Sequence, residues 1–125
     1  MPQDRESGAR GRNFGYHMAQ RVAQALGATL INPGRSNEAV WNKTRVVLKA
    51  AHRRVPQIGA TVAILDRVDW VLAALEDEEG SFTLYKVSSA WFKEQMAPSR
   101  SPKAAHVMMV NCNKVRDAGT VVGRL

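Results

Sequence analysis

Apolar residues recur at helical spacing near the start of the chain and in short β-rich runs after it. Phe14, Met18, Val22, Ala25 and Leu26 make a stripe every three to four residues. This predicts an amphipathic helix from Asn13, which can cap it, to a stop at Gly27. Its other face carries His17, Gln20, Arg21 and Gln24. Ala28–Ile31 follows as a short strand, and Asn32-Pro33-Gly34 as a turn. Glu38–Trp41 and Thr44–Ala51 read as strands, because β-branched residues suit a pleated, packed surface. Only Asn42-Lys43 separates them, so they form a tight hairpin. His52–Gln57 is a basic loop in which Pro56 ends the pairing.

The spacing predicts a helix over Gly59–Val68, burying Val62, Leu65 and Val68, or Ile58, Val62 and Leu65. Asp69–Leu75 is apolar on both faces, as a central strand is. Glu76–Ser81 reads as a turn whose carboxylates form a solvated hairpin tip, without the spacing of a calcium loop. Phe82–Val87 alternates as a strand. Ser88 or Ser89 caps a short helix, Ala90–Met96, with Trp91 and Phe92 inward. Pro98–Lys103 is a flexible basic loop, His106–Cys112 a last strand, and Lys114–Leu125 a tail with turns at Gly119 and Gly123. The mixed order predicts an α+β (mixed α/β) fold: one central mixed sheet with flanking helices, over a single domain at 13–125. Residues 1–12, polar with Gly8, Gly11 and three arginines, read as a flexible basic tail.

Composition narrows the partners. At 125 residues, 45% apolar and 23% charged, the chain is long enough for a real core. No apolar run approaches the roughly 20 residues that span a bilayer, and MPQDRESGARGRN lacks the apolar segment of a secretory signal. The lone Cys112 has no partner for an internal disulfide and reads as a small core residue, so a cytoplasmic location is the default expectation. The net charge is +7 and comes in blocks: +3 over residues 1–35, +4 over 36–56, −5 over 57–80 and +5 over 81–125. Clustered positive charge favours polyanions, with DNA ahead of RNA. The candidate phosphate-facing residues are Arg35, Lys43, Arg45, Lys49, Arg53, Arg54, Arg100 and Lys103. Trp41 lies beside them as a possible base-stacking ring; Trp70 and Trp91 read as core.

The chemistry narrows too. Walker A, G-x-G-x-x-G, H-E-x-x-H, C-x-x-C and G-x-S-x-G patterns are missing from the sequence. His17, His52 and His106 are too far apart to read as a metal triad. Within Ser36–Arg54 the single carboxylate Glu38 stands among Lys43, Arg45, Lys49, Arg53 and Arg54. Lys49 inside an apolar strand either snorkels at a strand end or points into a site.

Helix, three strands, helix, strand is the order of the restriction-endonuclease-like, or PD-(D/E)xK, nuclease core, which residues 13–87 resemble. The resemblance implies an acid at the start of the second core strand and an acid-x-lysine one hairpin later, the carboxylates holding Mg²⁺. Glu38 matches the first acid, as catalytic residue and metal ligand, and Lys49 matches the lysine. The middle acid is replaced by Val47, and the first helix offers His17 and Gln20 where the family has an acid. Mg²⁺ favours several hard oxygen ligands, so Glu38 alone makes a poor site unless another acid such as Asp66 joins it. Three readings stand: a DNA-binding protein on this scaffold with a degenerate nuclease site, an active Mg²⁺-dependent endonuclease using Glu38 and Lys49, and a small interaction module that forms a homodimer through a strand edge. The bland reading of Glu38 and Lys49 is a salt bridge between paired strands.

Overall fold

The computed structural model describes residues 2–32, 36–98 and 107–125; for residues 2–13, 97–98 and 107–108 only the backbone course is considered. The elements run α1 (Pro2–Leu26), β1 (Thr29–Leu30), β2 (Glu38–Trp41), β3 (Thr44–Ala51), β4 (Gln57–Thr61), α2 (Val62–Arg67), β5 (Trp70–Glu78), β6 (Ser81–Ser88), α3 (Ser89–Gln95), β7 (Ala97–Pro98), β8 (Val107–Asn111), α4 (Cys112–Ala118) and β9 (Thr120–Arg124). The fold is α+β, with a six-stranded mixed sheet in the order β1-β2-β3-β5-β6-β9. Of its neighbouring pairs, β3 and β5 run parallel and the others antiparallel. Parallel neighbours need a crossover of a dozen residues or more. Here it contains β4 and α2.

The hairpin forms as expected. Asn42 and Lys43 both take positive φ, 51° and 64°, the pattern of a type I′ turn whose twist matches the strands. α1 also stops where its sequence says: Gly27 adopts φ 71° and the Ala28 N–H donates to the Ala23 carbonyl at 2.9 Å, closing a Schellman motif. The helix starts at Pro2, however, well before Asn13. Pro suits the first helical position.

Two cores flank the large sheet. On one face Met18, Ala19, Val22 and Ala23 of α1 pack on Ala39, Val46, Leu48, Leu72, Ala74 and Leu84. Ala25, placed in the stripe by sequence, is exposed, and Ala19 and Ala23 take its role. On the other face Val47, Ala51, Val71, Ala73 and Leu75 meet Leu65, Phe92, Val110, Cys112 and Val115. β5 sends alternate residues into both cores, which explains its unbroken apolar run. Cys112 is a buried free thiol, as expected, and burial pushes its pKa up. No helix among the described residues is long and apolar enough to cross a membrane.

Three expectations need correction. Gly59–Thr61, read as the start of a helix, belongs with Gln57 and Ile58 to strand β4 (Gln57–Thr61), which pairs with β8 in a second, three-stranded sheet β4-β8-β7. Its Ile58 and Ala60 are buried in alternation, the period of a strand. The helix begins at Val62, which is 43% exposed rather than core, and is capped by the Thr61 side chain accepting from the Ile64 N–H at 3.2 Å. The C-terminal tail is instead α4 and β9, the latter pairing with β6.

The acid run is the third. Glu76 is only 7% exposed and joins two loops: its carboxylate accepts from the Gly80 N–H at 2.9 Å and the Arg53 N–H at 3.1 Å, with His52 Nδ1 at 3.5 Å. His52 in turn stacks on Phe14, ring centroids 4.1 Å apart. The bond from Gly80, then that from Arg53, hold the Glu76 carboxyl below its usual pKa against the opposing effect of burial, with His52 adding to them. A depressed carboxyl contributes stability above its unfolded pKa, about 4.3, and that stability is lost as pH falls through the folded value. Acid titration of thermal stability is therefore expected to show a loss below about pH 5 that is smaller in Glu76→Gln. Equal acid sensitivity in the two proteins would exclude Glu76 as the clamp.

Candidate functional site

β2 and β3 place Glu38 and Lys49 on one face of the large sheet, the face covered by α2. In the antiparallel register Glu38 lies opposite Val47, two residues before Lys49, so all three side chains project to that side. Glu38 is 5% exposed, and its partners are arginines, not Lys49. Arg67 of α2 reaches Oε1 with Nη2 at 2.8 Å and Nε at 3.0 Å. Arg45 Nη2 lies 3.6 Å from Oε2. The cross-strand Glu38–Lys49 salt bridge is thus replaced by Glu38–Arg67 and Glu38–Arg45. Both arginine side chains remain about half exposed, at 49% and 47%, and so can also meet solvent or a ligand.

Lys49 neither snorkels fully into water nor finds a carboxylate among the described residues. It lines a cleft of about 420 Å³ together with Tyr16 of α1, Ser36, Asn37, Val47, Ile64 and Arg67. Burial pushes its ammonium pKa below the ordinary lysine value. Asn37 backs the cleft: its carbonyl accepts from the Leu48 N–H at 2.8 Å, while its buried Oδ1 has no partner among the described residues. The Ser36 Oγ accepts from the Glu38 N–H at 3.2 Å and keeps its own O–H to donate. Arg67, Tyr16 and Asn37 are the site residues that sequence reasoning missed. Arg67 had a signal, as the one cation in the acidic stretch 57–80.

The remaining candidates spread along β3 and beyond. Lys43 is exposed at the hairpin tip, and Arg53 and Arg54 are exposed past the other end of the strand. Eight strand residues separate them, about 26 Å at roughly 3.3 Å per residue. Trp41 is not on this face. Its register partner is Thr44, it packs with the α1 core, and its indole N–H donates to the Leu26 carbonyl at 3.2 Å. Lys86 Nζ lies 5.9 Å from its ring centroid and 4.3 Å from that of Trp70. Arg35, Arg100 and Lys103 lie outside the described residues.

The donor set does not fit Mg²⁺. Among the described residues no carboxylate lines the cleft, and Glu38, the nearest on the same face of the β2–β3 pair, is held by two guanidinium groups. Asp66, the acid that could have joined it, is ion-paired with Lys93 of α3. Among the described residues no three His, Cys, Asp or Glu side chains group as metal ligands. Comparison with protein-family models and with curated proteins gave no match.

Proposed function

We propose that this chain binds nucleic acid, duplex DNA ahead of RNA, through the β2–β3–α2 face, on a scaffold resembling the restriction-endonuclease-like core with an incomplete nuclease site. One observation carries the reading: at the position matching the family's first acid, Glu38 is neutralised by Arg67 and Arg45, and Lys49 beside it has no counter-charge among the described residues. The face is therefore net positive and offers several cations to phosphates, but only one carboxylate. The helix, three strands, helix and strand of α1, β1–β3, α2 and β5 support the scaffold reading, β4 being an insertion in that order. A cytoplasmic setting belongs to the same proposal.

The cations along β3 span about 26 Å, or roughly eight base pairs at 3.4 Å each. Four phosphate contacts correspond to a slope of about −3.6 in log affinity against log salt. A labelled duplex is expected to shift on a gel equally in Mg²⁺ and in EDTA, without shortened product. Arg53→Ala/Arg54→Ala is expected to weaken binding to all sequences and to flatten the salt slope by about one to two. Salt-independent binding, or none, would overturn the proposal, and shortened product in Mg²⁺ alone would replace it with the nuclease reading.

A further inference from the structure

The cleft at Lys49 has features that contact with a continuous duplex does not use. Two cations, Lys49 and Arg67, line it; Glu38, which pairs with Arg67, is also paired with Arg45 outside the lining, so the neighbourhood sets three cations against one anion. An internal phosphodiester brings a single negative charge, whereas a phosphate monoester carries about −1.5 to −2 at neutral pH. A monoester therefore matches the excess and a diester leaves part of it uncompensated. The volume, about 420 Å³, lies towards the small end of ordinary ligand sites, roughly 300 to 1,000 Å³. The walls come from α1, the 36–37 segment, β3 and α2, so the recess lies between elements rather than along the open surface of one strand.

Asn37 adds an independent constraint. A buried acceptor without a partner is rare and calls for a donor from water or a ligand. Inorganic phosphate is chiefly an acceptor at this pH. A nucleotide brings the anion together with sugar hydroxyl and base amino donors. Tyr16 and Ile64 supply aromatic and aliphatic wall for its apolar parts.

We infer that the cleft holds the phosphorylated end of a nucleic-acid strand: the terminal monoester sits between Lys49 Nζ and the Arg67 guanidinium, with the Ser36 hydroxyl donating to it and the Asn37 side chain turning so that its Oδ1, buried and without a partner among the described residues, accepts from the same terminal nucleotide. This rests on the nucleic-acid reading above and adds that the protein distinguishes a phosphorylated terminus from a hydroxyl one.

The test is fluorescence anisotropy in EDTA at fixed salt with one internally labelled duplex in three forms: 5′-phosphorylated, 3′-phosphorylated and hydroxyl at all ends. One phosphorylated form is expected to bind about tenfold or more tightly than the hydroxyl form, a factor of ten being about 1.4 kcal/mol; which of the two does so identifies the end. Lys49→Met is expected to abolish the preference, while the hydroxyl duplex loses no more than one phosphate contact, a flattening of its salt slope by about 0.9. Asn37→Ala, which leaves the ion pairs in place, is expected to reduce the preference several-fold and serves if Lys49→Met does not fold. Equal affinity for all three forms, or a preference that survives both substitutions, would overturn the inference and leave the nucleic-acid reading intact. No binding to any form would overturn both.

Discussion

Val47→Glu combined with Arg67→Ala is expected to convert this face from metal-indifferent to metal-dependent. Val47 is 1% exposed and lies directly opposite Glu38, so the new carboxylate would face it across the strand pair, with Cβ atoms roughly 5 Å apart. Two carboxylates would then share a site from which the closest cation has been removed. An uncompensated buried charge costs about 3 to 5 kcal/mol, and the half-exposed Arg45 screens part of it, so a loss near 3 kcal/mol is expected in EDTA. Two facing carboxylates are also what a hard divalent cation binds. Mg²⁺ is therefore expected to raise the melting temperature of the double variant and not that of the parent. At a Mg²⁺ concentration one hundred times its dissociation constant the recovery is about 2.7 kcal/mol. Differential scanning fluorimetry with and without Mg²⁺ measures it. Equal Mg²⁺ response in parent and variant would show that the arginines are not what excludes a metal here.

The second large effect concerns how Arg67 is delivered. α2 has six residues, too few to persist as a helix alone, and Leu65 is its one fully buried side chain. Leu65 is 1% exposed, in the core with Val47, Ala51 and Phe92. Leu65→Ala removes that anchor and leaves a cavity, for which about 2 to 5 kcal/mol is typical. A loss of about 3 kcal/mol is expected, read as a fall of roughly 1 to 2 M in the urea midpoint without change of slope. Because the Arg67–Glu38 contact depends on the docking of α2, the coupling between Arg67→Ala and Glu38→Gln in a double-mutant cycle is expected to shrink in the Leu65→Ala background. A midpoint change below 0.3 M, with unchanged coupling, would mean that Thr61 and the backbone of the crossover hold α2 in place instead.

The parts of this fold that were legible are those whose local chemistry agrees with their tertiary role. The type I′ pair Asn42-Lys43, the β-branched run of β3, Gly27 at φ 71° and the Ser88 cap accepting from the Trp91 N–H at 3.0 Å are all local signals. β5 was legible because both faces are buried. β4 was not, since Gln-Ile-Gly-Ala-Thr is too short and too poor in β-formers to separate from the helix behind it. α4 and β9 carried usable signals, the Asn111 cap with Cys112 and Val115 a helical step apart, and Thr120-Val121-Val122 in a row; Gly119 before β9 and Gly123 within it obscured them.

At the site, the sequence placed Glu38 and Lys49 on neighbouring strands but paired them with each other. Their true surroundings depend on two long-range placements. Arg67 comes from a helix twenty-nine residues beyond Glu38, and Tyr16 from the first helix. Trp41 shows the converse: its chain neighbours are basic, yet alternation along β2 sends its ring to the opposite layer.

The parallel pairing of β3 with β5 also sets an order of events in folding. The β2–β3 hairpin closes over a two-residue turn, on the order of microseconds. The crossover must instead close a long loop, and its β4 completes its ladder only with β8, about fifty residues further on. Glu38, Arg45 and Lys49 are thus brought together early and Arg67 arrives late. Until it docks, Glu38 has a single arginine beside it, and Mg²⁺ is expected to reach that carboxylate more readily than in the native protein, where two guanidinium groups hold it. Refolding of this chain is where a trace of metal sensitivity would surface, in the rate and not in the final state.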